Sequence, residues 1–231
     1  MSWSKALPIL LAALLLASIL ASTASTAAEE KVQVVVTAPV LKNLVEKIGG
    51  ERVEVRSLLP PGVDPHSYEP DINTILSSVS HASLIVMTGP HHLPIEEKIE
   101  ALSKEGVIKI PIINYRDYES AGLLILSIPE TGAENPHGYF YTYSGLKAIA
   151  KACALKLSKI DPEGSDYYKQ NLDKYLAEIS ALEARIRSMD VADTKIVLGG
   201  PVLQYVASDL DLKVVDMIIL AHGLEPSSED V

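Results

Sequence analysis

Cysteine, positive charge and long apolar runs are all scarce in this chain. One cysteine, Cys153, stands in 231 residues, so no internal disulfide can form. It lies far from the N-terminus, out of place for a lipid anchor at a cleaved signal, and shares a helical face with Leu146, Ile149, Leu157 and Ile160, the setting of a core residue. Only 20 Lys and Arg oppose 30 Asp and Glu, a net charge of −10. That excess argues against nucleic acid or an anionic membrane surface as partner and is compatible with a cationic ligand. The familiar catalytic signatures are missing too: there is no His-Glu-x-x-His, nothing like a nucleophile elbow, and no acidic cluster suited to calcium or magnesium.

A single long apolar stretch is present, at residues 6–21, preceded by Lys5 and followed by small residues up to Ala28. One positive charge, a short apolar segment and small residues before a polar start make a secretory signal, with cleavage expected after Ala27 or Ala28. The run is shorter than the ~20 residues of a spanning helix, although an uncleaved anchor is the competing reading. Cleavage would remove one positive charge and no negative one, taking the net charge from −10 to −11. The remainder has room for one large or two small domains.

The most constrained stretch is residues 60–70, Pro-Pro-Gly-Val-Asp-Pro-His-Ser-Tyr-Glu-Pro, with His66 at its centre. Four prolines and a glycine remove backbone donors and fix φ so often that the segment must be a rigid loop. It joins a strand expected over 53–59 to a helix expected over 71–80, and such junctions present ligand-binding groups in α/β proteins. A histidine held on a stiff loop suits a pre-organised metal ligand; one that merely packs or caps is the other reading.

In chain order, a β-branched run predicts a strand over 32–37, then a helix through Leu41, Leu44, Val45 and Ile48 that stops at Gly49-Gly50. Further strands are expected over 84–87 and 107–110 and as one more at 123–126, with a helix over 95–102. This alternation predicts a parallel sheet covered on both faces, its post-strand loops gathered along one edge. A second rigid loop holds Asn135-Pro136-His137-Gly138, and a helix over 144–160 follows. Tyr168, Leu172, Tyr175, Ile179, Leu182, Ile186 and Met189 then recur at alternating spacings of four and three, one stripe on a long helix of roughly 35 Å. A coiled coil would share this pattern, but the alternation resumes after it with a strand over 195–198, a helix over 202–210 and a strand over 212–219, which favours a strut behind two lobes. The expected layout is an α/β fold: residues 1–28 as signal or anchor, 31–160 as an N-terminal metal-binding lobe, 161–190 as a connecting helix and 191–231 as a partial C-terminal lobe. Two strands and a helix bury too little apolar surface to stand alone, so the chain is a fragment or its lobe is completed by another molecule.

Taken together, the loop at 60–70, Asn135-Pro136-His137, Asp161-Pro162-Glu163 with the run from Tyr168 to Asn171, and Glu225-Pro226-Ser227 resemble, in order, the metal-binding solute-binding proteins of zinc and manganese ABC importers. The first motif is specific; the others are weak singly. The resemblance implies two α/β lobes joined by a rigid helix, with Zn²⁺ or Mn²⁺ held in the cleft as transported ligand and delivered to a membrane permease. It places His66 and His137 as the first two ligands. The third would fall at Gly200, five residues before Tyr205, where no side chain exists, and the fourth would lie beyond Val231. A zinc site wants about four ligands, so a replacement is needed. His92, of the His91-His92 pair after the third strand, is the best placed, with His222 behind it and His81 more in keeping with a cap or a solvated residue. The expected function is extracytoplasmic metal capture, zinc favoured over manganese. Its competitors are a truncated or degenerate member with weak or no metal binding, a surface adhesin, and a secreted metallohydrolase using Glu96 or Glu134 as general base.

Overall fold

The protein is described here by a computed structural model, covering residues 30–89, 92–129 and 132–218. The centre of the architecture is β1 (Val32–Val36), where Val34, Val35 and Val36 are each at most 1% exposed. β1 pairs in parallel with β2 (Val53–Ser57) on one side and with β3 (Leu84–Val86) on the other, and β3 pairs in parallel with β4 (Ile112–Ile113). The sheet order is β2-β1-β3-β4.

Strand residues alternate between faces, so consecutive side chains of one apolar run feed two separate cores. Val34, Val36, Leu84 and Val86 pack on α1 (Pro39–Gly49) and α5 (Tyr143–Ile160), whereas Val35, Ile85 and Met87 pack on α2 (Ile72–Val79) and α3 (Pro94–Lys104). Cys153 lies fully buried in the first core, as its helical face predicts. All four strands run the same way, so the loops after β1, β2 and β3 meet along one edge.

Two expected strands are not found. Residues 107–110 do not pair, because the end of α3 consumes them: the Val107 and Ile108 amides both donate to the Leu102 carbonyl, at 2.9 and 3.1 Å. The ladder begins only after this wrap, where the Pro111 carbonyl accepts from Ile85. Residues 123–126 form no ladder either among the described residues; the Leu126 amide donates to the Tyr205 hydroxyl, and a bridge joins Ser127 to Glu134 nearby. A short helix that periodicity does not predict, α4 (Tyr115–Ser120), is nucleated by a capping box between Asn114 and Asp117.

The long helix α6 (Ser165–Arg187) has 23 residues, about 35 Å at ~1.5 Å per residue. Its start is clamped to the first sheet: Asp161 takes two hydrogen bonds from the Arg52 guanidinium, at 2.8 and 2.9 Å, and one from the Tyr168 hydroxyl at 2.6 Å. Its end is tied by an Arg187–Asp211 ion pair of 2.9 Å to a two-stranded parallel sheet, β5 (Lys195–Leu198) and β6 (Lys213–Met217). The strands are connected by a 3₁₀ turn, Pro201–Leu203, and α7 (Gln204–Asp209), where a continuous helix was expected. The apolar stripe on α6 is buried at Tyr168 and Ile179 and open at Leu182, which is 44% exposed, while Met189, 65% exposed, lies past the end of the helix at Arg187. No helix among the described residues is long and apolar enough to cross a membrane.

Candidate metal centre

His66 reaches the edge of the first sheet on the proline-rich loop after β2. Asp64 accepts from the His66 amide at 3.1 Å and closes a side-chain turn around Pro65. The Tyr68 ring packs toward the α2–α3 core, and Asp71 caps α2 by accepting from the Thr74 amide at 3.0 Å, so the loop is fastened beyond the histidine.

His92 follows β3. Its Nδ1 lies 2.5 Å from the Thr88 hydroxyl, and its ring centroid is 5.8 Å from that of Phe140. Below it, Glu96 in the first turn of α3 is wholly buried and folds back to accept from the Thr88 amide at 2.6 Å, the Gly89 amide at 2.8 Å and the Thr37 hydroxyl. Burial pushes the Glu96 carboxyl up to about 7, against the pull of these donors.

His137 stands on the loop before α5. Asn135, fully buried, accepts from the His137 amide at 2.9 Å and lies 3.1 Å from its Nδ1. Its amide nitrogen donates to the Pro201 carbonyl and to Gln204 Oε1, both at 2.8 Å, and so joins this loop to the β5–β6 part of the molecule. Gly138 has φ +84, and a Cβ there would run into the Val202 carbonyl, so both backbone shape and space call for glycine. Tyr139 donates to the Thr88 carbonyl and thereby couples the His137 loop to the His92 loop.

Three loops far apart in sequence thus bring three half-buried imidazoles together. Ring centroids are 5.5 Å apart for His66–His92, 6.0 Å for His66–His137 and 4.9 Å for His92–His137. One nitrogen from each lies within 4.8 Å of the other two. They face a cavity of about 350 Å³ walled by Pro39, Leu59, Phe140 and Val202. A shallow contraction would bring such nitrogens to the ~2.0–2.1 Å of a zinc–imidazole bond around one shared ion.

The remaining sequence candidates fall elsewhere. Gly200 is buried and extended beside Pro201, offering no side chain. His81 is exposed in the turn after α2. His91, His222 and Glu225 lie outside the described residues. Glu134 bonds Tyr115 and Arg116, each at 2.8 Å, and Glu96 is enclosed by its donors, so neither is poised as a general base. Thr88 was not singled out by sequence, since a threonine at a strand end carries no motif. Asn135 was visible as the asparagine of Asn-Pro-His.

The fold and site define a parallel α/β frame with a histidine-lined cavity at the strand ends, backed by one long helix. Residues 34–231 match the family described as zinc-uptake complex component A, periplasmic, and the chain belongs to that extracytoplasmic family. It is 30% identical over 169 residues to a metal ABC transporter substrate-binding lipoprotein of Lactococcus lactis, covering 69% of this chain and 51% of that protein. It is also 30% identical over 166 residues to the manganese ABC transporter substrate-binding lipoprotein PsaA of Streptococcus pneumoniae, covering 70% and 52%. The chain therefore spans about half the length of these relatives. Among solved structures it superposes on ZnuA with a TM-score of 0.70 and 27% identity, over 87% of this chain and 75% of that one.

Proposed function

We propose that this chain captures a divalent transition metal ion outside the cytoplasm and passes it to the membrane permease of an ABC importer, with no chemical step. The observation that carries the reading is the meeting of His66, His92 and His137, each from a different loop, with a ligating nitrogen from each within 4.8 Å of the others. In this proposal all three bind the ion, and His92 takes the place left empty by glycine at position 200. Three neutral imidazoles, with no carboxylate beside them among the described residues, favour zinc over manganese, because nitrogen donors suit the softer ion. Family membership supports transport over catalysis, and the relative named for manganese keeps that ion as the second choice.

Gly200 favours one competing reading, a member that no longer captures metal well. Deleting the gene and following ⁶⁵Zn uptake at limiting zinc separates the two. A loss of uptake, restored by the wild-type gene but not by one encoding His66→Ala, is expected. Unchanged uptake of zinc, manganese and iron in the deletion would overturn the transport reading.

A further inference from the structure

Thr88 is wholly buried, and its hydroxyl stands between two groups, His92 Nδ1 at 2.5 Å and the two Glu96 carboxylate oxygens at 2.9 and 3.0 Å. A threonine hydroxyl has one proton to give and lone pairs to receive with. Alone it could donate to an imidazole nitrogen or accept from it, and the histidine tautomer would be undetermined. Glu96 removes that freedom. Two of its other partners are the backbone amides of Thr88 and Gly89, which only donate, and the Thr37 hydroxyl also points at it. Above about pH 7, where the Glu96 carboxyl is ionised, a carboxylate surrounded in this way has no proton to offer. The Thr88 proton is therefore drawn to Glu96, and the Thr88 oxygen accepts from His92 Nδ1–H. A proton on Nδ1 leaves the lone pair on Nε2.

We propose that Thr88 and Glu96 are positioning residues for His92, holding it as the Nδ1–H tautomer with its ring oriented so that Nε2 is presented to the metal ion. This rests on the metal-centre reading above and deepens it. The contrast with His137 explains why a relay is needed. His137 Nδ1 meets the oxygen of Asn135, which can only accept and so calls for a proton on that nitrogen directly. His92 meets a hydroxyl of either polarity, and a second residue behind it must choose. The Tyr139 hydroxyl on the Thr88 carbonyl holds the middle of the relay in place from the His137 side. Partners of this kind behind a metal-bound histidine typically contribute 10–100-fold to affinity.

The test compares the full chain with Thr88→Val, which keeps shape and loses the hydroxyl, Thr88→Ser, which keeps the hydroxyl, and His92→Ala. Long-range ¹H–¹⁵N correlation spectra of the metal-free protein in alkaline buffer report the His92 tautomer, and competition with a chelator reports zinc affinity. Expected are Nδ1–H in the wild type, a shift toward Nε2–H with zinc affinity lowered roughly 10–100-fold in Thr88→Val, and recovery of both in Thr88→Ser. Should Thr88→Val not fold, the wild-type spectrum still decides, since His92 found as Nε2–H contradicts the relay. Loss of zinc binding in His92→Ala with an unchanged tautomer and affinity in Thr88→Val would overturn the relay while leaving the metal reading intact. Zinc binding retained in His92→Ala would overturn both.

Discussion

The Tyr205 hydroxyl donates to the backbone carbonyl of Asn135 at 2.7 Å and accepts from the Leu126 amide at 3.1 Å. Asn135 also carries the hydrogen bonds that orient His137, so one phenol from α7 braces a histidine loop that belongs to the first sheet. The β5–β6 part of the molecule thus shapes the candidate metal centre without placing a ligand in it among the described residues.

Tyr205→Phe is expected to leave the Leu126 amide and the Asn135 carbonyl without this partner in a site where residue 205 is only 3% exposed. Leaving buried groups unsatisfied costs ~1–3 kcal/mol. Urea unfolding should register that loss, and zinc affinity should fall with it as the His137 loop loosens. An unchanged midpoint would show that water replaces the phenol without cost.

The clamp at the start of α6 predicts an acid-sensitive limb. Hydrogen bonds from Arg52, assisted by Tyr168, hold the Asp161 carboxyl at about 2, below its ordinary 3.8. A carboxyl depressed in the folded state stabilises it fully above the unfolded value and loses that contribution as pH falls toward the folded one. Stability should therefore drop between about pH 4 and 2, and Asp161→Asn should lower stability at neutral pH by ~1.5–3 kcal/mol and flatten that limb. Denaturant titrations across the range check both.

Glu96 predicts the opposite slope. Its carboxyl is raised by burial to about 7 from an ordinary 4.5, so the folded state holds the proton more tightly than the unfolded chain. This contribution is complete below pH 4.5 and is lost as pH rises through about 7. Subtracting the pH–stability profile of metal-free Glu96→Gln from that of the wild type should leave a component falling across this window. A flat difference would mean that Glu96 keeps its ordinary affinity for protons despite its burial.

Donor chemistry predicts metal preference. Three imidazoles, with no carboxylate beside them among the described residues, should bind zinc more tightly than manganese by at least about an order of magnitude, following the softness of nitrogen ligands and the affinity order of divalent ions. Competition between the two ions for one site measures it, and equal affinities would point to an oxygen ligand from outside the described residues.

Much of the fold is legible in the chain because a buried parallel strand is a continuous apolar run and each run is followed by a helical stripe. β1 and β3 are visible for this reason, and α6 by its own stripe. What periodicity misses is decided by hydrogen bonds at element ends: the Leu102 carbonyl captures Val107 and Ile108, and the capping box at Asn114 starts a helix too short for a stripe. At the site, the proline-rich loop marks His66 and Asn-Pro-His marks His137. His92 is suggested only by its place after β3; that it comes 5.5 Å from His66 follows from the β2-β1-β3 order, which no local pattern states. Thr88 and Glu96 carry no pattern, since their arrangement depends on a helix turn folding back under a strand end.

The most direct measurement is zinc stoichiometry by equilibrium dialysis of the purified chain, alongside His66→Ala, His92→Ala and His137→Ala. The three-histidine centre predicts about one ion per wild-type chain and a severe loss of binding in each variant. A folded wild-type chain that takes up no zinc, or a His92→Ala variant that binds it as the wild type does, would contradict it.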